Sequence, residues 1–298
     1  MAACVCCEAH AMNQPMQAPA PSPKDLIHTA ICQETPEADN PFATRVAHCR
    51  GYDVYGDMAG QARWIEMLWL LLRSELPAGP ELDVLEALAV ALANPGPRDG
   101  SVHAAMCGGV GGAPAASALM AALAVGAGRS GGAREVHDAM TMWQRHGPDL
   151  DAWRGYQAVS AGEPVDVWPE PGHIPGFDPH GVSTALPVRQ LLATLDRLGA
   201  GARTAWLQAN LEQAKAATGL PLAMCGVAAC VFGDLGFSPD EGEMLYLLLR
   251  LPGAAAHALE QKTGGFKRFP FYKLELDPAA TPPVPNMAAT TATAGEAT

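Results

Sequence analysis

The chain has 298 residues, with 19 Lys and Arg against 31 Asp and Glu, a net charge of −12 and a pI near 5.1. That balance excludes a nucleic-acid binder working by phosphate neutralisation. Hydrophobic residues make up 49% and charged ones 17%, so the centre of the chain is expected to fold, and a chain this long can bury about 75% of its unfolded surface.

Residues 1–40 mix Pro, Ala, Gln and Glu without a lasting period and read as a flexible leader. The segment has no basic stretch followed by an apolar core, so no secretion signal is expected. Cysteines stand at 4, 6, 7, 32, 49, 107, 225 and 230, with no pair of CxxC elements. The expectation is reduced thiols in a cytoplasm and no metal site. In 61–73, Trp64, Met67, Leu68, Leu71 and Leu72 fall on one helix face. Residues 81–93 repeat the pattern through Leu82, Leu85, Leu88 and Leu92. The run Leu68–Leu72 is bounded by Glu66 and Arg73 and is too short to span a membrane.

The Gly108–Gly112 run follows no strand and carries no lysine, which argues for close helix packing rather than a nucleotide loop. Small-residue helix 115–127 follows, then 133–145. The Pro- and Gly-rich stretch 162–187 is loop, and helices resume over 188–198, 202–217, 223–235 and 240–262. No strand shows sustained alternation. Residues 276–298 are Ala, Thr and Pro with almost no large apolar side chain, too poor to order themselves. The fold class is all-α.

Four segments together resemble the citrate synthase superfamily, which includes the citryl-CoA lyases. Arg50-Gly51-Tyr52-Asp53, the Trp64–Leu72 helix and Glu75-Leu76-Pro77 are similar to its RGYD…LLxGELP opening. Gly176-Phe177-Asp178-Pro179-His180 with Arg189 resembles its GFGH…DPR loop. Leu220-Pro221-Leu222 through Asp234-Leu235-Gly236-Phe237 resembles its PLNVDG…DLGF segment, and Arg250 through His257, Glu260 and Gln261 its RxxGxxAHxxEQ helix.

The resemblance implies a large helical domain from 41–133 and 236–275, a small one from 134–235, a site in the cleft, and a homodimer packed through helices such as 115–127. It implies that His180 polarises an oxo-acid carbonyl while Arg189 and Arg250 grip carboxylates. Planar guanidinium forks suit that task. Arg250 lies inside a strongly apolar helix, directly after the run Met244–Leu249, so an anionic partner is expected for it.

The enolising half departs from the family. Its HGG turn is Ser130-Gly131-Gly132 here, its catalytic aspartate falls at Cys225, and a histidine of its DHG segment falls at Gly100 after a retained Asp99. Proton abstraction beside a thioester needs a base and a stabilised enolate, and an ordinary thiol is a poor base. Two functions therefore stand. One is an enzyme of the citrate synthase or citryl-CoA lyase type, with a coenzyme A thioester as substrate and no permanent cofactor. The other is a non-catalytic relative that binds a di- or tricarboxylate, or pairs with an active paralogue. His257 and Glu260, three apart on one face, suggest an internal hydrogen bond rather than a metal pair.

Overall fold

The computed structural model describes residues 28–156 and 173–269. Expectations for 1–27, 157–172 and 270–298 lie outside the described residues. The chain divides into two compact units, 1–82 and 83–298.

The first unit carries a small antiparallel sheet in the order β1 (Cys32–Pro36), β2 (Thr44–Cys49), β3 (Tyr52–Asp53). Its strands are too short to show the alternation that marks a strand in sequence, and β1 falls within the stretch read as leader. Arg50 and Gly51 form a two-residue hairpin loop with φ of 52° and 91°, the left-handed pair that matches strand twist. The Asp53 carboxylate accepts from the backbone N–H of Tyr55 (3.1 Å) and Gly56 (2.9 Å), starting the wide helical turn Val54–Met58. Helix α1 (Trp64–Leu72) follows. Cys49, Met58 and Leu70 form a buried cluster, with Val54, Met67 and Leu71 packed against it.

Helix α2 (Gly79–Leu92) leads into the second unit, which holds α3 (Gly100–Val110), α4 (Ala115–Gly126), α5 (Ala133–His146), α6 (Leu150–Arg154), α7 (Leu186–Arg197), α8 (Ala202–Ala209), α9 (Leu211–Thr218), α10 (Met224–Asp234) and α11 (Pro239–Gly264). The helical expectation holds over most of the chain. Residues 202–217 are two helices rather than one, because Asn210 leaves helical geometry (φ −118°, ψ 23°) and its side chain donates to the Trp206 carbonyl at 2.8 Å.

Helix α3 is rich in Gly and Ala and lacks the apolar stripe that would announce it. Asp99 starts it, accepting from Ser101 N (3.0 Å) and Val102 N (3.4 Å). Helix α11 packs on α3, α4 and α5, while α10 packs on α5 and α8. The Gly108–Gly112 run serves this packing: a Cβ on Gly109 would lie 2.2 Å from the Ala258 carbonyl oxygen. Among the described residues, no helix is long and apolar enough to cross a membrane.

Candidate functional site

Three of the residues singled out in the sequence, Ser130, Cys225 and Arg250, lie at or beside one turn and its partners. Ser130 is exposed in the loop before α5, and the next residue, Gly131, has φ of 71°. The Gly131 carbonyl accepts from Tyr246 Oη (3.4 Å) and Arg250 Nη1 (3.5 Å), both from α11. Arg250 is 5% exposed, and its Nη2 is ion-paired with the Asp99 carboxylate at the start of α3. The anionic partner expected for this arginine is thus within the protein. Its guanidinium also lies over the Tyr246 ring, 4.7 Å from the centroid, and its Nε is buried with no hydrogen-bond partner. Burial pushes the Tyr246 hydroxyl far above its ordinary range, against the opposing pull of Arg250.

On the other side of the turn stands Glu135, a carboxylate only 3% exposed. Its Oε2 accepts from Gly131 N (2.5 Å) and its Oε1 from Gly176 N (2.9 Å). His173 Nε2 lies 3.4 Å from Oε1, and the Cys225 thiol stands near enough to the same carboxylate to feel its charge. Cys225 is fully buried on α10. Desolvation, then the charge and hydrogen bond of Glu135, push its thiol well above the usual value. That shift disfavours the thiolate, the form that would be needed to accept a proton from carbon.

Cys225 is approached closely by the loop that carries His180. Gly176 has φ of 91°, and a Cβ there would meet Gly226 Cα at 2.9 Å, so glycine faces glycine across the contact. Ala223 N donates to Gly176 O (3.0 Å) and Asp178 N to Pro221 O (2.8 Å). Phe177 anchors the loop from below, stacking edge-on to Trp153 at 6.1 Å, which in turn contacts Trp143 and Trp206. Beyond that anchor His180 is exposed, and its backbone N–H donates to Asp178 Oδ1 at 2.9 Å. Arg189 is exposed in the first turn of α7.

Arg250 and Glu135 therefore meet at Gly131, the residue after Ser130, with Cys225 within the influence of Glu135, and the His180 loop is fastened to the segment leading into Cys225; Arg189 takes no part in these contacts. Glu135 and Tyr246 escape the sequence reading. A signal for Glu135 existed, since it occupies the same face of α5 as the buried Ala139, Met142 and Trp143. His257 places Nε2 3.1 Å from Asn94 Oδ1 and Nδ1 3.5 Å from Glu260, so its hydrogen bond goes to Asn94 rather than to the Glu260 expected from the sequence.

One group among the described residues could hold a cation: His137, Asp240 and Glu243 offer ligand atoms within 4.8 Å of one another. Glu243 is already paired with Arg134 at 3.4 Å, and Asp240 lies in the first turn of α11, where the helix field favours anions.

No family model matches the chain, and no curated protein matches it either. Solved structures do. The chain is similar to citryl-CoA lyase from Hydrogenobacter thermophilus, with a TM-score of 0.63 and 20% identity over 85% of this chain and 96% of that one. It is also similar to ATP citrate lyase from Methanothrix soehngenii, solved with citrate and coenzyme A (TM-score 0.62, 17% identity, 91% of this chain). A third likeness is to a D541A mutant of Methanosaeta concilii ATP citrate lyase with (3S)-citryl-CoA (TM-score 0.61, 16% identity). The chain spans 47% of the length of each ATP citrate lyase. The fold is the citrate synthase-like fold shared with citryl-CoA lyase.

Proposed function

We propose that the protein binds an acyl-CoA thioester and a 2-oxo dicarboxylate in the manner of a citrate synthase or citryl-CoA lyase, making or cleaving a carbon–carbon bond with impaired enolisation. The supporting observation is the match over nearly the whole of a citryl-CoA lyase, combined with a buried arginine at the site whose Nε has no partner. In this reading Arg250 and Arg189 hold carboxylates and His180 polarises the carbonyl. The Ser130 hydroxyl offers one hydrogen bond to an enol oxygen. Coenzyme A enters as substrate, and the working form is a cytoplasmic homodimer.

A second reading is favoured by one feature, the protonated thiol at the position of the base. Without a group able to take the methyl proton, the barrier rises by several kcal/mol, each 1.36 kcal/mol being about tenfold in rate. The protein would then bind a di- or tricarboxylate, or pair with an active paralogue, without turnover.

Purified protein incubated with acetyl-CoA and oxaloacetate, and separately with citryl-CoA, tests both readings by mass spectrometry alongside calorimetry with citrate. Slow product formation with citrate binding supports the enzyme, and binding without product supports the second reading. Exchange of acetyl-CoA methyl protons with deuterated solvent at the rate of an ordinary synthase would overturn the impaired-enolisation argument. Absence of any binding would overturn both.

A further inference from the structure

We propose that Cys32 and Cys49 are an oxidation site: a reversible cross-strand disulfide that fastens the edge strand β1 to the middle of the sheet. The β1–β2 register sets Cys32 opposite Cys49. Two observations give the parity of that rung. One rung along, Arg50 N donates to Ile31 O at 2.9 Å. On the other edge of β2, Cys49 pairs with Tyr52 across the two-residue hairpin, so its backbone groups point toward β3. Cys32 and Cys49 are therefore a non-hydrogen-bonded pair. Side chains at such a rung leave the same face of the sheet with Cα atoms about 4.5 Å apart. That lies inside the roughly 4.4–6.8 Å Cα window a disulfide requires.

Both thiols are reduced, Cys32 exposed and Cys49 buried. Burial, aided by the neighbouring Cys32 and opposed by Arg50, pushes the Cys49 thiol up. The exposed partner is thus the first to react. With a low-molecular-weight disulfide RSSR as oxidant, the Cys32 thiolate attacks one sulfur and releases one RSH. Cys49 then loses its proton, attacks the Cys32 sulfur of the mixed disulfide and expels the second RSH. Two protein thiols become one disulfide, RSSR is reduced to two thiols, and these carry away both protons.

The strand so fastened is an exposed edge, paired on one side only. Four of its five residues are exposed, and its side-chain support includes Thr44 Oγ1 donating to Glu34 Oε2 at 3.1 Å. Arg50 reaches from the hairpin to the Ala30 carbonyl on one side and the Leu71 carbonyl on the other, each at 3.4 Å. Oxidation makes this docking covalent and reduction returns it to hydrogen bonds.

The test uses the full chain, reduced, exposed to oxidised glutathione, alkylated, and digested with trypsin without reduction. Cleavage after Lys24, Arg45 and Arg50 separates the two cysteines into peptides 25–45 and 46–50. The expected product is these two peptides joined, with the link lost in dithiothreitol. The oxidised protein should melt at a higher temperature than the reduced one, and Cys32→Ser, an exposed and fold-neutral change, should abolish both effects. Two results would overturn the proposal. One is the absence of the joined peptides when the exposed Cys107 has become glutathionylated. The other is Cys32 joined instead to Cys4, Cys6 or Cys7.

Discussion

Glu135 uses both carboxylate oxygens to hold the chain together around the site. One oxygen takes the Gly131 N–H and the other the Gly176 N–H, so the turn bearing Ser130 and the loop leading to His180 are tied to one side chain. Glu135→Gln replaces one acceptor with an NH2 group and sets a donor against a donor. A buried N–H left without its acceptor costs about 1–3 kcal/mol. The variant is expected to lose that much in urea unfolding, and a variant as stable as the native protein would remove Glu135 as the tie. An arginine inside an apolar helix demands a counter-charge, and that demand was readable at Arg250. Which anion answers it was not, because Asp99 lies 151 residues away and only tertiary packing brings it there.

At the scale of elements, the contact of α3 with α11 depends on what the chain omits. Gly109 meets the Ala258 backbone, which cannot move aside as a flexible side chain could. Gly109→Ala is expected to cost about 1–3 kcal/mol by overpacking. Gly111, in helical geometry two residues on, would set its Cβ at an ordinary 3.4 Å from the Cys107 carbonyl oxygen. Gly111→Ala should therefore change stability by no more than about 0.5 kcal/mol. Equal effects at the two positions in thermal unfolding would mean that the helices do not approach as described. Helices with large apolar stripes, such as α1, could be read directly. Helix α3 could not, since its partner accepts it for its lack of side chains, and the strands were too short for their period to register.

For the whole molecule, the buried thiols contribute to how stability responds to alkali. Unfolded, Cys225 and Cys230 titrate near 9.0; folded, both are pushed well above it, chiefly by burial. Below pH 9 both states are protonated and the thiols contribute nothing to the pH dependence. Above it the unfolded chain gives up protons that the folded chain keeps. Stability must then fall as pH rises, by up to about 1.4 kcal/mol per pH unit for each thiol. Urea midpoints between pH 8 and 10.5 measure this, and Cys230→Ala should flatten the slope. An unchanged slope in that variant would show that Cys230 ionises alike in both states.

The pairing of Arg250 with Asp99 has a further consequence in the language of competition. Asp99 is a rival tethered beside the receptor, present at a local concentration no dissolved carboxylate matches. On the proposed reading, a ligand seeking Arg250 must displace it, because the unpartnered Nε is itself buried. On that reading the arginine is thereby insulated from stray monocarboxylates, and selectivity shifts toward ligands that recruit a second cation at the same time. Asp99→Asn keeps an acceptor for the start of α3 while silencing the rival. It should tighten citrate binding by calorimetry and tighten acetate binding by a larger factor, so that the protein becomes a better and less discriminating anion receptor. If both affinities stay as they were, Asp99 and the ligand do not contend for the same guanidinium.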